Sequence, residues 1–175
     1  RMDGSENRPR RSADLRGLQV NVVPVQAAVL AAPVPFEANA AVGLRALDPA
    51  QVTRIILVDT RRRDRIGALA GIAARPGVEV HVYDHHPASP EDIAGAVEVI
   101  EEVGANTTLM VELLRRRGHA LSPEEATLLA LGIYEDTGSL TFASTTPRDL
   151  QAAAWLLEQG ANLNIVADHV ARDLT

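Results

Sequence analysis

From residue 51 onward, short apolar runs alternate with longer stripes of helical spacing. "TRIILVDT" (53–60) is an apolar run closed by an acid, the pattern of a buried strand. "DRIGALAGIAA" (64–74) has helical spacing and stops at Pro76-Gly77. In "VEVHVYDHHP" (78–87), Val78, Val80 and Val82 alternate with Glu79, His81 and Tyr83, which predicts a strand running into Asp84, His85 and His86 and ending at Pro87. "SPED" (89–92) is a cap signature that predicts a brief helix, with a further strand at "AVEVIEEVG" (96–104). "NTTLMVELLRRRG" (106–118) reads as a helix ended by Gly118. "SPEEATLLALGIYEDTG" (122–138) opens on a Ser/Glu capping box with Pro in the first turn and closes on Gly138. Its middle, Ala126 to Ile133, is apolar nearly all round and predicts a deeply buried helix. "TPRDLQAAAWLLEQG" (146–160) and "NIVADHVARDL" (164–174) complete the set as two more helices. The expected fold of residues 51–175 is therefore α/β, a mostly parallel sheet with helices on both faces.

Residues 1–50 read differently. Residues 1–16 are polar, Arg-rich and without period, the pattern of a disordered tail. Residues 17–50 are rich in Ala and Val and interrupted by Pro24, Pro33 and Pro35, with a strand expected near 19–23 and a short helix near 38–47. Pro24 makes Val20 to Val25 a poor central strand, so an irregular or edge segment is expected there. The stretch 8–40 has the loose outline of a signal peptide, but Asn21, Pro24 and Gln26 break its apolar part, and the expected location is the cytoplasm. No run is long and apolar enough to span a bilayer, and no membrane partner is expected.

Composition narrows the chemistry. Of the 175 residues 46% are hydrophobic and only 3% aromatic, so the core must be built from Leu, Val, Ile and Ala. A net charge of −6 argues against a general nucleic-acid coat, although not against a local basic site. The absence of cysteine excludes disulfides and thiolate metal sites.

The residues that carry chemistry gather at element ends. In open parallel sheets the working crevice lies beyond the carboxyl ends of the strands. Asp59 closes one predicted strand, and Asp84, His85 and His86 close the next. If the two strands are neighbours, these groups converge. Carboxylates and imidazoles without thiolate suit a hard or borderline divalent ion such as Mn²⁺ or Mg²⁺. Consecutive extended side chains point to opposite sides, so His85 and His86 should do different jobs. Asp136, with Glu135, ends the apolar helix where the helix dipole disfavours a carboxylate, which a nearby cation would reverse. Asn106, Thr107 and Thr108 open a helix after Gly104, a placement that suits an anion.

Three motifs, "LVDT", "YDHHP" and "GIYEDTGSLTF", resemble in the right order the second, third and fourth motifs of the DHH phosphoesterase superfamily. That superfamily includes manganese-dependent inorganic pyrophosphatases, single-strand exonucleases, and nucleases of oligoribonucleotides and cyclic dinucleotides. Residues from about Val52 to Leu174, with "VGANTTLMVELL" and "TTPRDLQAAAWLLEQGANLN", most resemble the N-terminal DHH domain of bacterial CBS-domain-containing tRNA nucleotidyltransferase/poly(A) polymerase-like proteins. The resemblance implies that Asp59 bridges two metal ions, that His85 and Asp136 are ligands of one of them, that Asp84 orients the neighbouring imidazole, and that His86 contacts the substrate phosphate. It also implies a nucleotide or short-RNA substrate, with tRNA reached only through further domains. The family's first motif, a His and an Asp-x-Asp after an N-terminal strand, supplies the remaining metal ligands, yet residues 1–58 hold no histidine and no Asp-x-Asp. The sequence is thus expected to be either a fragment or a divergent relative with a half-dismantled site and low turnover. The competing expectation is a non-catalytic module that binds a nucleotide or a partner domain.

The remaining polar residues read as structural. "RRR" at 61–63 is expected in a solvated loop, and "RRR" at 115–117 to match a helix C-terminus. His81, His119 and His169 stand alone, Trp155 is expected in the core, and Ser139, Ser144 and Thr145 show no base partner for nucleophilic catalysis.

Overall fold

A computed structural model describes residues 48 to 172. The expectations for the tail at 1–16, the strand near 19–23, the helix near 38–47 and the stretch Val20 to Val25 lie outside the described residues.

After a 3-10 turn at Pro49–Gln51, three strands follow, β1 (Arg54–Val58), β2 (Glu79–Asp84) and β3 (Val97–Ile100). They form a parallel sheet in the order β1-β2-β3. The register sets Val58 opposite Tyr83 and Asp84 opposite Ile100, so β1 and β2 finish side by side. As the central strand, β2 is buried along almost its whole length, from Val80 through Asp84. Both faces of this strand are covered, so it buries His81 and Tyr83 as well as Val80 and Val82. His81 is 2% exposed, with Nε2 2.6 Å from Glu79 Oε1.

Five helices complete the described part: α1 (Leu69–Ala73), α2 (Asn106–Arg116), α3 (Pro123–Asp136), α4 (Pro147–Glu158) and α5 (Leu163–Arg172). Helix α3 begins on the expected capping box, with Ser122 Oγ accepting from Glu125 N at 3.2 Å and Glu125 Oε2 accepting from Ser122 N at 2.9 Å. It packs against α2, α4 and α5, which is why its apolar girdle is needed on several sides. Leu109 of α2, Ile133 of α3, Leu156 of α4 and Val166 of α5 are fully buried side chains. Each such burial contributes about 1.5–3 kcal/mol relative to exposure.

Three expectations are corrected. The brief helix after "SPED" does not form. Asp92 is drawn to Arg61 instead, Ser89 N donates to Asp92 Oδ2 at 2.8 Å, and Arg62 makes an antiparallel bridge with Asp92. The helix expected over 64–74 is confined to α1, because Gly67 has φ 54° and Asp64 pairs with Arg62 rather than capping a turn. Trp155 is half-buried, since α4 turns Ala152, Ala153 and Leu156 inward and leaves the indole at the rim.

Candidate functional site

Asp59 follows the last residue of β1 and adopts φ 63°, the left-handed region that costs a non-glycine residue on the order of 1 kcal/mol. Two neighbours hold it there. Its N–H donates to Tyr83 O at 2.9 Å. The buried Asn106 side chain, with its amide oxygen toward β1, accepts from Asp59 N at 3.1 Å and donates to Tyr83 O at 3.2 Å. The turn points the Asp59 carboxylate, 52% exposed, across the end of β2.

There it meets two imidazoles. His85 Nε2 lies 3.2 Å from Asp59 Oδ1, and His85 Nδ1 lies 2.9 Å from Val103 O. A carbonyl only accepts, so Nδ1 carries the hydrogen and Nε2 is the nitrogen turned to the site. The hydrogen bond to Asp59 pushes the His85 pKa up to about 9, against the opposing effect of burial and with further help from the Val103 carbonyl. His86 points differently. Its Nδ1 is 2.7 Å from Asp84 Oδ1 and 4.0 Å from Asp59 Oδ1, and its ring stands 4.5 Å from that of His85 at 65°. Asp84, 1% exposed, accepts with the same Oδ1 from His85 N at 2.9 Å. One oxygen thus sets both the backbone of His85 and the ring of His86.

Asp59, His85 and His86 each offer a donor atom, all within 4.8 Å of one another, and they are the single such group among the described residues. Asp136 borders this group without joining it. Its carboxyl pKa is raised, first by partial removal from water and then by the Asp59 charge, while His85 and the Asn106 backbone N–H act in the opposite direction. One carboxylate and two imidazoles in reach of one another, with a second carboxylate at their border and a proton held on His85, fit a divalent cation by their chemistry.

The anion seat expected from Asn106, Thr107 and Thr108 lies at the start of α2. Gly104 N and Ala105 N donate to the Asp149 carboxylate at 2.9 and 3.2 Å, and Thr108 Oγ1 donates to it at 2.6 Å. Thr108 is fully buried, and Thr107 faces α3, where its Oγ1 would be 2.6 Å from a Cβ placed at Gly132. The chain's own carboxylate therefore takes the two amides that lead into α2. Burial pushes the Asp149 pKa up, but hydrogen bonds from Thr108 and Thr146 hold it below the usual carboxylate range. Of the three residues, Asn106 reaches the candidate centre, and it does so by gripping the backbone of Asp59.

Sequence reading missed two residues. Arg61 is 5% exposed rather than solvated, and nothing in "RRR" distinguishes the first arginine from the other two. Asp149 was not singled out within the helix read at "TPRDLQAAAWLLEQG". His119 and His169 lie outside the donor group. No described helix is long and apolar enough to cross a membrane.

Fold and donor set together define an α/β domain with a candidate divalent-metal centre at the carboxyl ends of parallel strands. No protein-family model matches the chain. It is 54% identical over 132 residues to an A-adding tRNA nucleotidyltransferase of Geobacter sulfurreducens, covering 75% of this chain and 15% of that protein. It is 38% identical over 88 residues to the bifunctional oligoribonuclease and PAP phosphatase NrnA of Thermus thermophilus (50% of this chain, 26% of that one). To a probable manganese-dependent inorganic pyrophosphatase of Staphylococcus epidermidis it is 32% identical over 88 residues (50% and 28%). Among solved structures, an exopolyphosphatase-related protein from Bacteroides fragilis superposes with a TM-score of 0.59 at 26% identity, over 70% of this chain and 36% of that one. These matches relate the chain to the DHH phosphoesterase superfamily, near the tRNA nucleotidyltransferase-like proteins. The chain spans a small part of these relatives, about one seventh of the Geobacter protein.

Proposed function

We propose that this chain is a DHH-type phosphoesterase domain of the cytoplasm that holds one divalent cation, Mn²⁺ or Mg²⁺, and acts on the phosphodiester or pyrophosphate linkage of a nucleotide or short RNA. The observation that carries the reading is the convergence of Asp59, His85 and His86 at the ends of two neighbouring strands, with Asp136 at their border. A bound ion would supply an acidified water and charge neutralisation at a phosphoryl oxygen. Asp59 and His85 face each other and would hold it, with Asp136 as the third ligand. Val103 O fixes the His85 tautomer, so Nε2 is the donor. Asp84 takes Nδ1 of His86 and leaves Nε2 of that ring to meet a phosphoryl oxygen. Asn106 keeps Asp59 in its strained turn. Manganese is favoured by the manganese-dependent pyrophosphatase among the relatives.

Residues 1–58 contain no histidine and no Asp-x-Asp, so ligands for a second ion are not supplied from that part of the sequence. Turnover by this chain alone is accordingly low. A second reading, a non-catalytic nucleotide- or partner-binding module of a tRNA nucleotidyltransferase-type protein, is favoured by the 54% identity to the A-adding relative. In that reading tRNA is reached through domains beyond this sequence.

Calorimetric titration with Mn²⁺ tests both. One site is expected, abolished by Asp59→Asn and strongly weakened by Asp136→Asn. Two equally tight sites, or indifference to both substitutions, overturn the metal assignment. With Mn²⁺ present, pyrophosphate, a generic phosphodiester and a short oligoribonucleotide should turn over slowly. Brisk hydrolysis lost in His85→Ala would show a complete site, and no hydrolysis with intact metal and nucleotide binding favours the second reading.

A further inference from the structure

The function proposed above gives no task to one buried cation. Arg61 stands two residues after Asp59, first of the three arginines, and its side chain is 5% exposed. Its guanidinium is used on three edges. Nε donates to Asp92 Oδ2 at 2.7 Å, Nη1 to Asp84 Oδ2 at 3.1 Å, and Nη2 to the His86 carbonyl at 3.1 Å. Two of these acceptors belong to the Asp84-His85-His86 segment itself. The main chain follows the same path, with Ile93 N donating to Arg61 O at 2.8 Å and Arg63 N to Glu91 O at 2.9 Å. The loop leaving β1 is thereby clamped to the loop leaving β2.

The consequence reaches the site through Asp84. One of its oxygens receives Arg61, while the other receives His86 Nδ1 at 2.7 Å and His85 N at 2.9 Å. An imidazole free in water exchanges between its two tautomers, and only a fixed acceptor at Nδ1 selects one. A buried carboxylate keeps a fixed orientation when its other oxygen is held by a planar, multi-pronged donor. The neighbouring Arg62, by contrast, pairs with Asp64 in an exposed position.

We propose that Arg61 is a positioning residue whose fork, by gripping Asp84, Asp92 and the His86 carbonyl together, locks His86 as the Nδ1–H tautomer and presents its Nε2 to the phosphate. This inference rests on the proposed function, in which His86 meets a phosphoryl oxygen. A lysine ammonium is a point donor on a flexible stem and cannot span the three acceptors.

The test reads the tautomer directly. In the metal-free, ¹⁵N-labelled full chain at alkaline pH, His86 should show the nitrogen shifts of a single Nδ1–H form, assigned by their loss in His86→Gln. Arg61→Lys and Arg61→Gln should each replace these with the averaged shifts of two exchanging tautomers, while amide spectra show the fold intact. If neither variant folds, Asp92→Ala removes one acceptor of the fork from a half-buried position and should produce the same averaging. A wild-type His86 that already averages, or folded Arg61 variants that keep the single form, overturn the inference. With Mn²⁺ bound, inorganic phosphate should bind Arg61→Lys about tenfold more weakly than wild type, a factor equal to about 1.4 kcal/mol. Arg62→Lys should match wild type. Wild type that binds no phosphate would overturn the proposed role of His86, while the tautomer measurement still decides Arg61.

Discussion

Replacing Asp59 with Asn should change the protonation of His85 before any metal is added. Asp59 Oδ1 is 3.2 Å from His85 Nε2, and this hydrogen bond is the largest cause of the rise of the His85 pKa to about 9. Taken at face value, a rise from about 6.5 to about 9 corresponds to roughly 3 kcal/mol of preference for the charged ring. Asp59 is 52% exposed, so solvent screens the pair, and about 1–2 kcal/mol is the fair expectation. The sign follows from the raised folded-state value. This stability is fully present below about pH 6.5 and is lost as pH rises through about 9. In Asp59→Asn burial, which lowers the pKa, outranks the Val103 carbonyl, which raises it, so His85 should fall by about one unit or more. An NMR titration of His85 in metal-free protein checks the pKa, and urea unfolding at pH 6 and pH 9.5 checks the linkage. A wild-type His85 titrating near pH 6.5, or an Asp59→Asn variant with the same titration as wild type, would refute the pairing.

Other consequences are as direct. Because an ion must displace the proton from His85 Nε2, Mn²⁺ affinity should rise at least about tenfold between pH 7 and pH 9, with proton release visible in buffers of different ionisation enthalpy; a flat profile would exclude His85 as a ligand. Asp149→Ala should cost about 3–5 kcal/mol in urea unfolding, because it strands Gly104 N, Ala105 N and the Thr108 hydroxyl in the interior. A cost below about 1 kcal/mol would mean that water replaces the carboxylate there. Gly138→Ala should destabilise by about 1–2 kcal/mol, because Gly138 has φ 55° and a methyl group would also displace the exposed Phe142 ring; an unchanged melting temperature would show that this turn is free to rearrange. Amide exchange should be slowest along β2, which is paired on both edges, and slow exchange confined to the helices would contradict the sheet order.

Much of the described fold was legible because its signals are local. An apolar run closed by an acid, a Ser/Glu capping box with Pro in the first turn, and a helix stopped by Gly118 are each decided within a few residues. They marked β1, α2 and α3 nearly to their ends. The sequence also determined which donor types are available, carboxylate and imidazole with no thiolate, and that Asp59 and the Asp84-His85-His86 segment stand at strand ends. Tertiary structure decided what those ends face. Only the parallel pairing of β1 with β2 puts Asp59 beside His85, and only the covering of both faces of β2 buries His81 and Tyr83 along with its valines. Arg61 and Asp149 were invisible as site-builders because their partners lie 23 to 45 residues away in the chain. A charged side chain reads as solvated until folding closes its acceptors around it. The same long-range pull removed the helix expected after "SPED", since Asp92 makes a stronger bond to a buried guanidinium than it would at the cap of one exposed turn. Spacing along the chain sets which backbone conformations form, whereas the company each polar group keeps is a property of the packed molecule.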